Sequence, residues 1–229
     1  MEFTKLSNRL DLVASFVPDG ARLLDVGSDH AYLPIALLQE GKIEAAIAGE
    51  VVEGPYQSAL QNVADNGLED KIEVRLANGL AAFEPTDGIS CITIAGMGGR
   101  LIADILAAGL VKLASVSRLV LQPNNREDEL RAWLVDNDFR IVDEAILEEN
   151  EKFYEILVVE QGSQELSAKE LRFGPYLMQE QAPAFVQKWS KEVEKLAFAL
   201  EQVPVENQSA RASLEERIAQ IKEVLNASK

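Results

Sequence analysis

Leu23-Leu24-Asp25-Val26-Gly27-Ser28-Asp29-His30-Ala31-Tyr32-Leu33-Pro34 runs from an apolar strand, through an acid and a glycine, into the start of a helix. Such a unit opens an α/β sheet in which ligands sit beyond the carboxyl ends of the strands. Gly27 lets the backbone approach a ligand where a side chain would collide. A dinucleotide site needs two further glycines, to admit a pyrophosphate at the helix N-terminus. Asp29 and Ala31 occupy those places. A carboxylate there repels a pyrophosphate, so a nicotinamide dinucleotide is disfavoured.

Outward from this unit, apolar runs at 22–26, 45–51, 72–76, 89–95, 119–122, 140–144 and 154–160 read as strands. Cys91-Ile92-Thr93-Ile94 and Leu119-Val120-Leu121 are nearly continuous branched apolar runs, as expected of strands covered on both faces. Helices are expected at 31–40, 55–67, 79–83 and 99–108, each leaving room for a parallel crossover. The fold class is therefore α/β, an open sheet with helices on both faces. Only the short link Glu148-Glu149-Asn150-Glu151-Lys152-Phe153 separates the last two strands, which predicts a hairpin and an antiparallel final strand.

The style changes near Gln161. Ser167-Ala168-Lys169-Glu170 reads as a capping box, with Gly174-Pro175 ending the helix. Trp189, Val193, Leu196, Leu200 and Val203 recur at spacings of 4, 3, 4 and 3, and Leu214, Ile218, Ile221 and Leu225 at 4, 3 and 4. Pro204 and a polar link divide them, which predicts an antiparallel coiled-coil hairpin. The expected division is a catalytic domain over 1–161 and a helical domain over 162–229. The hairpin serves either as an oligomerisation or packing element or as an arm that grips a large substrate.

The net charge is −16, yet 9 basic and 10 acidic residues nearly cancel between Gln161 and Lys229. The other 13 basic and 28 acidic residues precede them. Nucleic acid would have to meet basic residues gathered on one face, because a generally acidic surface repels phosphates. One cysteine, Cys91, and one histidine, His30, make a metal site unexpected, and Cys91 is expected to be a core residue. No secretory start and no bilayer-length apolar run is present, so the expected location is the cytoplasm and no membrane partner is foreseen.

An acidic turn suits a phosphate-free nucleoside bearing positive charge, which points to S-adenosylmethionine as cofactor. Glu50 closes the second strand and can accept hydrogen bonds from both ribose hydroxyls, with Val51 beside it. Asn78-Gly79-Leu80 follows the third strand, where an amide can meet the adenine amino group. Ala95-Gly96-Met97 follows the fourth strand, where small residues admit a flat base. Gln122-Pro123-Asn124-Asn125 ends the fifth. The expected cofactor contacts are thus Asp25, Gly27, Ser28, Asp29, His30, Glu50, Val51, Asn78, Gly79, Leu80, Ala95, Gly96 and Met97.

The 27–34 run, the 95–99 loop, Gln122-Pro123-Asn124 and Lys152-Phe153-Tyr154-Glu155-Ile156 resemble bacterial tRNA adenine-N1-methyltransferases of the TrmK type. The resemblance spans essentially the whole chain. It implies a Rossmann-like class I methyltransferase domain, methylation of adenine 22 in tRNA, and S-adenosylmethionine across the first, second and fourth strand ends. Asn78 departs from the acid frequent at that position. Adenine N1 carries a lone pair, so no proton need be removed, and the enzyme mainly aligns N1 with the methyl carbon. The product base is cationic, and Asp29 is the candidate carboxylate to stabilise it; the alternative is a helix cap. Tyr32, Asn124 and Tyr154 complete the candidate catalytic set, the tyrosines as stacking partners. A monomer or weak homodimer is expected. The rival readings are a methyltransferase of another RNA or small molecule, and a non-catalytic binding protein. The Asn/Asp-Pro-Pro-aromatic loop of adenine-N6 enzymes is absent.

Overall fold

The computed structural model describes residues 4–227. Its parallel strands are β1 (Ala21–Val26), β2 (Ile43–Glu50), β3 (Ile72–Leu76), β4 (Cys91–Met97) and β5 (Arg118–Pro123). β6 (Phe139–Glu149) and β7 (Lys152–Gln161) form the expected hairpin, and β7 inserts antiparallel beside β5. The order is β3-β2-β1-β4-β5-β7-β6 in a 7-stranded sheet.

Alternation along β1 shows why both faces are covered. Leu23 points into one core with Leu33, Leu37 and Val63, while Leu24 points into the other with Ile102, Leu106 and Leu130. The first core lies under α1 (Asn8–Ser15), α2 (Tyr32–Gln39) and α3 (Glu53–Asp65). The second lies under α4 (Gly99–Ala108) and α5 (Glu127–Asp136). Cys91 is fully buried, and burial pushes its thiol up to about 12.

Several expectations need correction. The 79–83 helix is a single 3-10 turn, Gly79–Ala82, because Gly79 adopts φ +55 and leaves no room for regular α geometry. Helices α1 and α5 were not anticipated. α1 has a short, weakly periodic sequence capped by Ser7, whose hydroxyl accepts from Leu10 N. α5 begins after Arg126 in a left-handed conformation instead of a Ser/Thr/Asp/Asn cap.

The tail comprises α6 (Ala168–Phe173), α7 (Leu177–Glu180), α8 (Pro183–Gln202) and α9 (Gln208–Asn226). Ser167 and Glu170 form the expected capping box. α8 and α9 run antiparallel: Arg217 reaches Glu192, and Arg211 donates to the carbonyls of Leu200 and Val203. Val203 lies just beyond α8 in extended conformation, so the seam stops at Leu200. A third core, with Phe173, Phe185, Trp189 and Ile221, includes Ile146 of β6, so the hairpin base shares apolar packing with the sheet.

A buried polar network binds the same junction. Arg131 of α5 donates to Glu144 at 2.7 Å and Glu155 at 2.5 Å, all three being almost fully buried. Glu144 Oε2 accepts from Tyr176 N and Leu177 N, and Lys188 of α8 donates to Glu155 and Glu127.

Candidate active site

On either side of β1 the strand order reverses, so the loops after β1 and β4 part and leave a crevice at their carboxyl ends. Gly27 turns the chain there at φ +67, and a Cβ at this position would strike Met97 Cε. Gly27 N and Ser28 N both donate to Gly49 O, at 2.9 and 3.2 Å.

Asp29, His30 and Ala31 then follow at φ 43, 68 and 57. Left-handed geometry costs an L-residue roughly 1–2 kcal/mol, so surrounding bonds must hold this run. Asp29 N donates to Glu50 Oε1 at 2.6 Å, Asn62 Nδ2 donates to His30 O at 3.0 Å, and Ala31 is fully buried. Ala31 is the N-cap of α2 with no side-chain cap bond, which sets aside the helix-cap alternative for Asp29. The Asp29 carboxylate is 85% exposed and lies 3.5 Å from His30 Nε2. The His30 and Tyr32 rings stand 5.4 Å apart.

Two buried acids sit behind the turn. Asp25 accepts from Ser28 Oγ and Thr93 Oγ1, both at 2.6 Å. Burial pushes its carboxyl above the usual range despite both hydroxyls. Burial does the same to Glu50, against the Asp29 N–H and with help from the Asp25 and Asp29 charges. Glu50 Oε2 accepts no bond among the described residues. Glu50 O accepts from Ala77 N at 2.7 Å, which carries the site to Asn78. Asn78, Gly79, Leu101 and Ile105 line a recess of about 280 Å³ between the 3-10 turn and α4. Leu80 also lines it, although its residue is 2% exposed in the core. Val51 is 58% exposed beside Glu50.

A second cluster lies at the ends of β4 and β5. Gln122 is fully buried; its Oε1 accepts from Gly96 N at 3.0 Å and from Arg9 Nη1 at 2.6 Å. Its Nε2 donates to Asn124 Oδ1, and Asn124 Nδ2 donates to Gly96 O at 2.7 Å. Asn124 N donates to Met97 O, tying this cluster to the loop facing Gly27. The Arg9 guanidinium lies 5.6 Å from the centre of the Tyr154 ring.

A family model for the TrmK tRNA (adenine(22)-N(1))-methyltransferases matches residues 23–223. The chain belongs to this family. A tRNA (adenine(22)-N(1))-methyltransferase of Bacillus subtilis is 41% identical, over 99% of each chain. A Streptococcus pneumoniae crystal structure in complex with S-adenosyl-L-methionine is 66% identical, covers 97% of this chain and 100% of its own, and superposes with TM-score 0.90. TrmK of M. capricolum in complex with S-adenosyl-homocysteine is 29% identical, covers 95% of this chain and 96% of its own, and gives TM-score 0.83.

Within this TrmK-family chain, sequence reasoning missed Thr93 and Arg9 as site residues. Thr93 is the lone hydroxyl in an apolar strand, a signal that was available. Arg9 comes from a helix remote in sequence, and nothing local marks it. Among the described residues no group of three or more His, Cys, Asp or Glu side chains can hold a metal ion, and no helix is long and apolar enough to cross a membrane.

The Gly27 turn makes a direct prediction. Gly27→Ala places a Cβ against Met97 and strains the left-handed turn. S-adenosyl-homocysteine affinity should fall about ten-fold, equivalent to about 1.4 kcal/mol. Isothermal titration reading wild-type affinity would show that the turn tolerates a side chain.

Proposed function

We propose that this chain methylates N1 of an adenine in tRNA, adenine 22 in its family, using S-adenosylmethionine. The observation that carries this reading is the acid-lined turn Asp25-Gly27-Asp29 facing Glu50, in a chain that matches the family over 23–223. When bound, S-adenosylmethionine supplies an electrophilic methyl group. Glu50 Oε2 takes the ribose hydroxyls, and Gly27 with Ser28 admits the amino-acid portion beside the Asp25–Thr93 pair. The recess at Asn78, Gly79 and Leu80 takes the adenine, with Val51 and the end of β4, Ala95–Met97, beside it.

The target base enters from the Asn124 side. N1 attacks with its own lone pair, so the site needs no general base. Asn124 and Gly96 offer polar groups to the base edge, and Tyr154 and Tyr32 offer ring faces. Asp29 stabilises the cation that forms. Extracting the base from its stack costs a few kcal/mol, which contacts elsewhere must offset. The helical part, 162–229, supplies them through Lys191, Lys195, Arg217 and Lys222. A cytoplasmic monomer or weak homodimer suits this role.

The test is transfer of labelled methyl groups to unmodified tRNA, with nucleosides identified by mass. The expected product is 1-methyladenosine, lost when adenine 22 is replaced by guanine. Incorporation that persists on the guanine-substituted tRNA would move the target elsewhere. No incorporation, with cofactor binding intact, would return the reading to another substrate.

A further inference from the structure

We propose that Arg9 is the cation that receives the backbone phosphate of the nucleotide entering the site. This rests on the tRNA-methyltransferase reading and adds a contact to it.

Arg75, Arg100, Arg118, Arg126 and Arg131 are each tied to a carboxylate. Arg9 is not, among the described residues, although the chain carries a net charge of −16. Among the same residues Arg22 and Arg172 also lack a carboxylate partner, but Arg22 is bound to the Asp87 carbonyl and Arg172 to Gln220, away from the crevice. Its hydrogen bond to Gln122 Oε1 at 2.6 Å uses one terminal nitrogen. A guanidinium offers further donors in a fixed fork that matches phosphate oxygens. Those of Arg9 have no partner among the described residues, and the residue is half-buried.

The placement supports a nucleotide more than a purely structural bond. The Arg9 guanidinium lies over the Tyr154 ring, 5.6 Å from its centre, and against Gly96, where a Cβ would come within 3.5 Å of its Nη1. Gly96 and Asn124 form the polar mouth of the crevice, joined at 2.7 Å. An aromatic face, a polar edge and an unpaired cation side by side are what a single unstacked nucleotide presents to: base, base edge and phosphate. The opposite wall is acidic, with Asp25, Asp29 and Glu50. A phosphate brought to that wall would be repelled, whereas Arg9 offers it a counter-charge, although α1 also carries Asp11 and holds Glu149 at Asn8 N. Gln122, buried and holding both Arg9 and Gly96 N, fixes the guanidinium in advance of the substrate.

The experiment measures binding of unmodified tRNA across a potassium chloride series, together with methyl transfer, for wild type, Arg9→Gln and Arg9→Lys. Losing one phosphate contact should reduce the slope of log affinity against log salt by about one. For Arg9→Gln the tRNA KM should rise about ten-fold, with S-adenosyl-homocysteine affinity unchanged. Arg9→Lys keeps the charge and should restore the slope, with affinity between the other two. An Arg9→Gln protein that keeps the full slope, beside an active wild type, overturns the proposal: Arg9 then acts only through Gln122. A wild type that binds S-adenosyl-homocysteine but leaves tRNA unmethylated overturns the functional reading itself and the phosphate contact with it.

Discussion

Asp29→Asn should lower turnover on tRNA by about 10²-fold at saturating cofactor, the scale seen when one preorganised polar group is removed from a charge-developing site. The asparagine variant is the more informative one. Asp29 stands at φ +43, a region that asparagine adopts at lower cost than alanine, so Asp29→Ala mixes backbone strain with loss of charge. The backbone N–H that clamps to Glu50 survives either change. The side chain itself, 85% exposed and touching only His30, contributes little to folding. Asparagine therefore removes charge at nearly constant shape. S-adenosyl-homocysteine affinity should stay within a few-fold, because Glu50 and Gly27 remain. Full turnover by Asp29→Asn would sink the charge role and leave alignment as the whole contribution.

The same turn shows how far the sequence could be read. Asp25, Gly27 and Glu50 announce themselves through strand-end position and residue type, and the structure gathers them into one crevice. Nothing in the sequence announces that Asp29, His30 and Ala31 all adopt left-handed geometry. That conformation comes from Glu50 and Asn62, which lie 21 and 32 positions away in the chain from the groups they hold. Arg9 was invisible for the same reason: its partner Gln122 is 113 positions distant. Strands and their order follow from periodicity and connection length, which are local. The second wall of the site is made by long-range bonds between elements whose own sequences are unremarkable. The helix expected over 79–83 failed at a local level, because Gly79 was read as a start and its positive φ was not foreseen.

Arg131→Met should destabilise the folded chain by about 3–5 kcal/mol, the usual result of removing one partner from a buried ionic network. Two carboxylates are left behind. Burial pushes Glu155 up, but Arg131 and Lys188 outweigh it and hold it below the ordinary range. Burial keeps Glu144 above that range in spite of Arg131. The signs therefore differ. Glu155 contributes stability above its unfolded pKa, about 4.3, and loses it as pH falls through its lower folded value. Glu144 favours the fold when protonated and loses that contribution as pH rises through its raised folded value. Without Arg131 both acids should titrate higher, so the gap between wild type and variant should be widest near neutrality and narrow below about pH 4. Denaturant unfolding at several pH values reads this directly; a constant gap would show that lost packing, not charge, is responsible. The network also explains why ending the chain near Gln161 is a poor test of the hairpin. Glu144 would lose Tyr176 N and Leu177 N, Glu155 would lose Lys188, and Ile146 would lose the core it shares with Phe173 and Trp189. Such a chain would fail through its catalytic sheet, whatever the hairpin does with RNA. Charge removal at Lys195 and Lys222, exposed on α8 and α9, touches none of these contacts and isolates the arm's contribution.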